Sequence, residues 1–140
     1  MSVDLRAVDP RVTRFYELLD AKDVNGWGQL WHPDGEIIVP YPPDGFPPLI
    51  SGQATIVEGF HGLIGVYTTF TSELTAVFPG ADPAVTTVEY RVRAELARGG
   101  EYTNDNVAIF EFEDDLVRRY HDYFDPRRFQ VVVEALNATE

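Results

Sequence analysis

The sequence contains no cysteine, which excludes a disulfide scaffold, thiolate metal ligands and a cysteine nucleophile. Basic residues are also scarce: 11 lysines and arginines stand against 23 acidic residues, for a net charge of −12. Nucleic acids and anionic membranes need clustered basic side chains, so we expect neither as a partner. No apolar run approaches the ~20 residues of a membrane span, and residues 1–10 lack the apolar core of a secretion signal. We expect a cytoplasmic protein that binds a neutral or cationic small molecule.

The remaining composition is that of a globular protein with a large core. Of 140 residues, 44% are hydrophobic and 13% aromatic, enough for a core or for a core that encloses a cavity. There is no repeat, low-complexity segment or linker, so we expect one domain over residues 1–140. The 3 histidines are scattered and show no metal-ligand spacing, so no metal site is expected.

Helical patterns dominate the first half of the chain. Asp9 and Pro10 are typical of a helix start, and apolar spacing predicts a helix from there to about residue 23. A shorter helical turn carrying Trp31 is expected to end before a strand at 36–39. A stiff proline-rich loop follows at 40–48, and a third helix is predicted from 51 to about 67.

The second half reads as strands. Apolar residues alternate with polar ones over 70–78 and 88–96, the pattern of a sheet with one buried face. Two further runs, from Tyr102 to Phe112 and from Leu116 toward Pro126, are joined by a short acidic turn and predict a β-hairpin. The sequence therefore predicts an α+β fold in which helices cover one face of a curved antiparallel sheet that can enclose a pocket.

Asp122 is the residue that most needs an explanation, because it is a carboxylate among aromatic residues in the middle of the last predicted strand. If it points inward, desolvation raises its pKa toward the range useful for proton transfer. If it points outward, it is a strand charge paired with Arg118 or Arg119.

Several other side chains are candidates for the same pocket. Tyr120 and Asp122 share a strand face with Phe124, and Asn104 shares one with Asn106. If both faces turn inward, Asp122 is a general acid or base and Tyr120 orients the substrate or donates a proton. An asparagine then hydrogen-bonds a substrate carbonyl or hydroxyl. The alternative for both asparagines is a hydrogen bond to the backbone.

Further candidates are expected to contact the ligand rather than to react. His61 lies beside an apolar stripe of the third helix and is either structural or cavity-facing. Tyr41 in the proline-rich loop is a candidate for the cavity mouth. The remaining predicted contacts are aromatic: Trp31, Phe60, Tyr90 and Phe124.

The order of segments resembles the SnoaL-like branch of the nuclear transport factor 2-like superfamily. The resemblance rests on residues 14–23, 30–35 and 50–56 and on the final hairpin. It implies a cone of curved antiparallel sheet closed by three helices around a hydrophobic cavity, usually in a homodimer. It also implies activity on small organic molecules, as cyclase, isomerase, dehydratase, epoxide hydrolase or condensing protein, without metal or organic cofactor.

The resemblance points to Asp122, where phenazine A/B proteins carry a catalytic glutamate and limonene-type epoxide hydrolases a catalytic aspartate. The segment around Asn104 is similar to a Tyr-x-Asn segment of the phenazine pair. Ketosteroid isomerases differ, since Phe15 aligns with their oxyanion tyrosine and Val39 or Pro40 with their catalytic base. The arginine of the epoxide hydrolases also has no inward-facing match.

From the residues and the resemblance together we expect a cofactor-independent acid/base enzyme of secondary metabolism. Its substrate is expected to be hydrophobic, and the reaction a cyclisation, isomerisation or condensation. A non-catalytic small-molecule-binding or protein-interaction module is the first alternative, and an epoxide hydrolase or epoxide-opening cyclase is the second.

Overall fold

The computed structural model describes residues 4–138. A 6-stranded curved sheet has the strand order β2-β1-β6-β5-β4-β3. The strands are β1 (Trp31–Ile38), β2 (Leu49–Ser51), β3 (Tyr67–Pro79), β4 (Val85–Leu96), β5 (Glu101–Glu113) and β6 (Leu116–Tyr123). The α-helices are α1 (Pro10–Asp20), α2 (Val24–Gly28), α3 (Gln53–Ile64) and α4 (Pro126–Ala138), and a 3₁₀ turn spans Leu5–Ala7. The predicted α+β class is confirmed.

Long antiparallel pairings from β3 to β6 form the main part of the sheet. The short strand β2 also pairs antiparallel with β1, whereas β1 runs parallel to β6. The sheet is therefore mixed at β1, which the expectation of an antiparallel sheet missed. The parallel pairing brings the ends of β1 and β6 to the same side of the sheet, next to the proline-rich loop.

The inner face of the sheet packs against the helices, as the alternating pattern predicts. On β4 the apolar residues from Val88 to Leu96 are buried, while the charged residues between them are exposed. Helix α1 contributes Phe15, which is 1% exposed and stacks on Tyr120 with ring centroids 4.8 Å apart. Burying a side chain of this size contributes about 2 to 3 kcal/mol relative to leaving it in water.

The first strand begins earlier than predicted. Trp31 lies at the start of β1, not at the end of a helix, and pairs with Val117 on β6. The pairing is irregular between Trp31 and Glu36, and this irregular stretch holds Pro33 and Gly35. An irregular strand accommodates residues that interrupt a regular ladder, so proline and glycine did not mark the boundary here.

A fourth helix follows the sheet and was not predicted. Asp125 caps α4 by accepting a hydrogen bond from the Arg127 backbone N–H at 2.9 Å, and Pro126 occupies the first position. The same Asp-Pro start had correctly indicated α1. Helix α4 buries Phe129 against the open end of the sheet, where the proline-rich loop also packs. No helix among residues 4–138 is long and apolar enough to span a membrane.

Candidate functional site

A cavity of about 80 Å³ lies between the inner face of the sheet and helices α1, α3 and α4. Its walls are mostly aromatic and aliphatic. The apolar and aromatic lining includes Phe15, Leu19, Ile37, Val39, Phe46, Ile50, Phe60, Leu63, Phe70, Val92, Phe124 and Phe129. The polar lining consists of Tyr16, Tyr67, Ser72, Tyr90, Tyr102, Asn106, Tyr120 and Asp122. An apolar cavity with a few polar groups at one place is the usual form of a small-molecule site.

Asp122 on β6 is the carboxylate of this cavity. It pairs in register with Ala108 of β5, whose side chain is a single methyl group and leaves room above the sheet. Across that gap Tyr90 of β4 reaches Asp122 and donates a hydrogen bond to its Oδ1 at 2.9 Å. Desolvation by burial raises the pKa of Asp122 to about 7, against the opposing effect of the Tyr90 hydrogen bond.

The arginines near Asp122 in sequence do not neutralise it. Arg118 and Arg119 both reach Glu36, each with a nitrogen 3.3 Å from the same carboxylate oxygen. Arg119 lies on the face opposite Tyr120 because successive strand residues alternate in direction. Arg118 is the extra residue of an irregular β5–β6 pairing, in which Glu111 pairs with Arg119 but Phe112 pairs with Val117, and it also points away from the cavity. Asp122 is therefore not the arginine-paired strand charge of the alternative interpretation, and its carboxyl group has tyrosines for neighbours.

Three tyrosine hydroxyls form a buried chain that leads to Asp122. The hydroxyls of Tyr16 and Tyr120 are 2.9 Å apart, and those of Tyr120 and Tyr90 are 3.0 Å apart. Burial, followed by the charge of Asp122, raises the pKa of each of these tyrosines well above its usual value. They are therefore neutral at physiological pH and act as hydrogen-bond donors and acceptors.

The two candidate asparagines have different surroundings. Asn106 is 6% exposed, lines the cavity and donates from Nδ2 to the Tyr90 hydroxyl at 3.1 Å. Asn104 lies outside the cavity lining and donates from Nδ2 to the Tyr102 hydroxyl and the Asp125 carbonyl, at 2.8 and 3.0 Å. Its Oδ1 accepts from the backbone N–H groups of Asp105 and Asp125. Asn104 therefore ties β5 to the start of α4 and lies apart from the cavity that Asp122 lines.

Three further predicted contacts also lie outside the cavity. Trp31 is buried behind it and packs its ring edge-on to Tyr120. Tyr41 is 65% exposed and contacts the ring of Tyr123. His61 is exposed on α3, with Nε2 2.9 Å from the Asn25 side chain. None of the three is among the described residues that line the cavity, so their predicted ligand contacts have no counterpart in its walls.

The remaining predicted residues are cavity neighbours. Tyr90, Tyr120, Asn106, Phe60 and Phe124 all line the same space as Asp122. Their assembly follows from the inward faces of β4, β5 and β6, with Phe60 added from α3.

Sequence reasoning missed Tyr16, and its position shows why. It lies on α1 four residues after Val12, on the stripe that also buries Phe15 and Leu19. Helical spacing could have shown that Tyr16 faces inward, but not that its hydroxyl meets that of Tyr120, a residue 104 positions away. Phe129 was missed with the whole of α4.

A group of side chains able to ligate metal lies away from the cavity. His32, Glu113 and Asp114 meet at the turn between β5 and β6, where His32 Nε2 is 2.9 Å from the Glu113 carboxylate. Both acidic residues are exposed, and exposed acidic groups often meet without holding a metal ion. Nothing connects this group to the chemistry of Asp122.

The fold is the nuclear transport factor 2-like, or ketosteroid isomerase-like, fold. Within that class, the SnoaL-like domain family matches residues 12–134, and the chain belongs to this family. The resemblance seen in the sequence is thereby confirmed.

Individual relatives are distant but cover most of the chain. An uncharacterised PhzA/B-like protein of Pseudomonas aeruginosa is 27% identical over 124 residues, which are 88% of this chain and 85% of the relative. A putative isomerase from Bacillus subtilis matches in structure with a TM-score of 0.79 at 23% identity, over 89% of this chain and 91% of that one. The phenazine biosynthesis-related protein PhzB2 of Pseudomonas aeruginosa matches with a TM-score of 0.74 at 18% identity, covering 89% and 82%. These structural similarities establish the fold.

Proposed function

We propose that the protein is a cofactor-independent acid/base enzyme whose cavity binds a hydrophobic small molecule for isomerisation, cyclisation or condensation. The observation that carries the proposal is Asp122: a carboxyl group with a pKa of about 7 in an apolar cavity. A general acid or base is most effective when its pKa lies near the working pH, since both protonation states are then populated.

The geometry supports a proton relay between two atoms of one substrate. Tyr90 occupies Asp122 Oδ1, so Oδ2 is the oxygen available to a ligand. As a carboxylate, Asp122 removes a proton from a carbon or hydroxyl group of the substrate. The neutral acid then returns that proton to a second atom of the substrate and is regenerated as carboxylate. Tyr120 acts through Tyr90, whose hydroxyl it contacts, and is a positioning residue in this scheme.

The proposal is tested by deuterium incorporation at C1 of 2-tetralone, a small hydrophobic ketone that exchanges through its enol. In D₂O near neutral pH, NMR should show exchange with the protein above the buffer rate. Asp122→Asn should reduce this added rate at least about a hundredfold, the usual contribution of a positioned acid or base. Asn25→Asp on the exposed surface is the control and should exchange normally. Equal rates for wild type and Asp122→Asn would contradict the acid/base role.

A non-catalytic small-molecule-binding module is the second candidate. The observation in its favour is the small number of polar groups able to meet a ligand, since the tyrosine hydroxyls near Asp122 already bond to one another. If this candidate is correct, Asp122→Asn keeps ligand affinity and no turnover is lost. The epoxide-opening alternative receives less support, because no arginine is among the described residues that line the cavity.

We further propose a homodimer formed through the outer face of the sheet. There Val107 pairs with Tyr123 and Ile109 with His121, which places three apolar side chains side by side on β5 and β6. Light scattering should give twice the chain mass for the wild type. The mass should fall to that of one chain for Ile109→Lys, whereas Thr103→Lys on the same strand should remain dimeric. A monomeric wild type would exclude the homodimer.

We also propose that the protein is cytoplasmic and that it acts in secondary metabolism. The absence of cysteine is compatible with a reducing compartment. The relatives named for phenazine biosynthesis and for PhzA/B-like sequence support a biosynthetic role. Cell fractionation and comparison of small-molecule extracts from wild-type and deletion strains would test the two parts separately.

A further inference from the structure

The hydrogen bonds around Asp122 leave an excess of acceptors, and this imbalance identifies the ligand's polar group. When Asp122 is ionised, Tyr90 donates its one hydroxyl proton to the carboxylate. The Tyr90 oxygen also lies 3.0 Å from the Tyr120 hydroxyl and 3.1 Å from Asn106 Nδ2. With its own proton committed to Asp122, Tyr90 accepts from both of these neighbours.

The same count of hydroxyl protons determines which tyrosine donates in each of the other hydrogen bonds. Because Tyr120 donates its single proton to Tyr90, it accepts one from Tyr16, whose hydroxyl is 2.9 Å away. Each of the three tyrosine protons is therefore used within the cluster, and all of them run toward Asp122. None of these protons is left for a ligand when Asp122 is ionised.

The orientation of the Asn106 amide follows from the same protons. If the amide were reversed, its oxygen would face the Tyr90 oxygen with no hydrogen between them. The NH₂ group must therefore face Tyr90, and Oδ1 is the free end. Asn106 Oδ1 is buried and has no hydrogen-bond partner among residues 4–138. A buried acceptor without a partner is uncommon in folded proteins and calls for a ligand or a bound water.

We propose that Asn106 is a specificity-determining residue whose Oδ1 accepts a hydrogen bond from a hydroxyl or N–H group of the ligand. This inference rests on the proposed function in one respect: both place the ligand beside Asp122. With Asp122 Oδ2 as a second acceptor and mostly apolar walls, the ligand is a compact ring compound bearing a phenolic or enolic hydroxyl. A molecule of the same shape without a donor leaves Asn106 Oδ1 unpaired and binds less tightly.

The test compares 2-naphthol with 2-fluoronaphthalene, which have similar shapes and differ in the hydrogen-bond donor. Titration calorimetry or ligand-observed NMR at pH 7.5 should show wild type binding 2-naphthol at least tenfold more tightly. In Asn106→Leu the preference should fall below threefold, chiefly through weaker 2-naphthol binding. Asn25→Leu makes the same substitution at an exposed asparagine and should keep the wild-type preference.

A second measurement uses the unmutated protein, in case Asn106→Leu does not fold. The side-chain carbonyl ¹³C signal of Asn106 should move on saturation with 2-naphthol and stay in place with 2-fluoronaphthalene, because a hydrogen bond to Oδ1 deshields that carbon. If both ligands move it equally, the donor is not reaching Oδ1 and the inference is overturned.

The outcomes separate this inference from the proposed function. Equal wild-type affinity for the two ligands means that the ligand hydroxyl does not bond to Asn106 Oδ1, which overturns the inference. The acid/base proposal is not affected by that result. A preference that survives in Asn106→Leu assigns the donor to another acceptor and also overturns the inference. Failure of both compounds to bind contradicts the inference and the ligand cavity together. Binding of 2-naphthol without any protein-dependent deuterium exchange by the wild type contradicts only the catalytic role.

Discussion

Replacing Asp122 by asparagine should make the protein more stable at high pH and leave its stability nearly unchanged at low pH. The folded protein holds the Asp122 pKa at about 7, whereas the ordinary aspartate value of 3.8 applies in the unfolded chain. Between these values the folded state keeps a proton that the unfolded state releases. The contribution of Asp122 to stability is thus fully present below about pH 4 and is lost as the pH rises through 7.

The size of the effect follows from the width of this pH window. Each pH unit between the two pKa values costs about 1.4 kcal/mol of unfolding free energy, so a shift from 3.8 to about 7 amounts to roughly 4 kcal/mol. Asparagine does not titrate, and its carbonyl oxygen can accept the same Tyr90 hydrogen bond that Asp122 Oδ1 accepts. The stability difference between Asp122→Asn and wild type should therefore increase with pH and level off above about pH 8.

Urea unfolding of both proteins from pH 5 to pH 8.5 measures this difference directly. Other carboxylates titrate in both proteins and cancel in the subtraction, so the remaining slope belongs to Asp122. Asp44→Asn, at an exposed position in the proline-rich loop, is the matched control. A stability difference that stays constant with pH would refute the reasoning, because it would mean that folding leaves the Asp122 pKa where it was in the unfolded chain.

Three further predictions concern the surroundings of Asp122. Tyr90→Phe removes the hydrogen bond that lowers the Asp122 pKa, so the carboxyl ¹³C signal of Asp122 should titrate above about 7; an unchanged midpoint contradicts this. Asn104→Ala removes the two hydrogen bonds to the Asp125 backbone at the start of α4 and should lower the free energy of unfolding in urea by about 1 to 3 kcal/mol, whereas Asn25→Ala should leave it nearly unchanged. Phe129→Ala should cost about 3 to 5 kcal/mol and enlarge the cavity, which an increased affinity for naphthalene would show.

The sheet was predictable because its signals are local and have a period of two. On β4 the inward positions alternate with charged residues, and that alternation predicts the face of Tyr90. On β6 the period of two puts Tyr120 and Asp122 on one face but leaves open whether that face turns inward, which only the structure shows. Trp31 was misplaced for a related reason. Proline and glycine normally end an element, but in β1 they fall within an irregular pairing to β6, which only the tertiary structure supplies.

The tyrosine chain shows a limit of a different kind. Sequence patterns give the face on which a side chain lies, but they do not give the distance between two faces that belong to different elements. Tyr16 on α1 and Tyr120 on β6 are both predictably buried, yet their hydroxyls meet only because α1 crosses the sheet at that point. The free oxygen of Asn106 depends on a similar contact between elements, that of Tyr90 on β4 with Asp122 on β6, so it could not be derived before the fold was known.

Asn104 and Asn106 make the same point within one strand. They are two residues apart and share the inward face of β5, so strand periodicity gives them equal claims to the cavity. The difference between them comes from α4, which begins next to Asn104. The Asn104 side chain donates to the Asp125 carbonyl and accepts from the Asp125 backbone N–H. Two residues further along the strand, Asn106 donates to Tyr90 instead and keeps a buried oxygen that no described residue satisfies. A helix that the sequence did not predict thus decides which asparagine supports the structure and which one is available to a ligand.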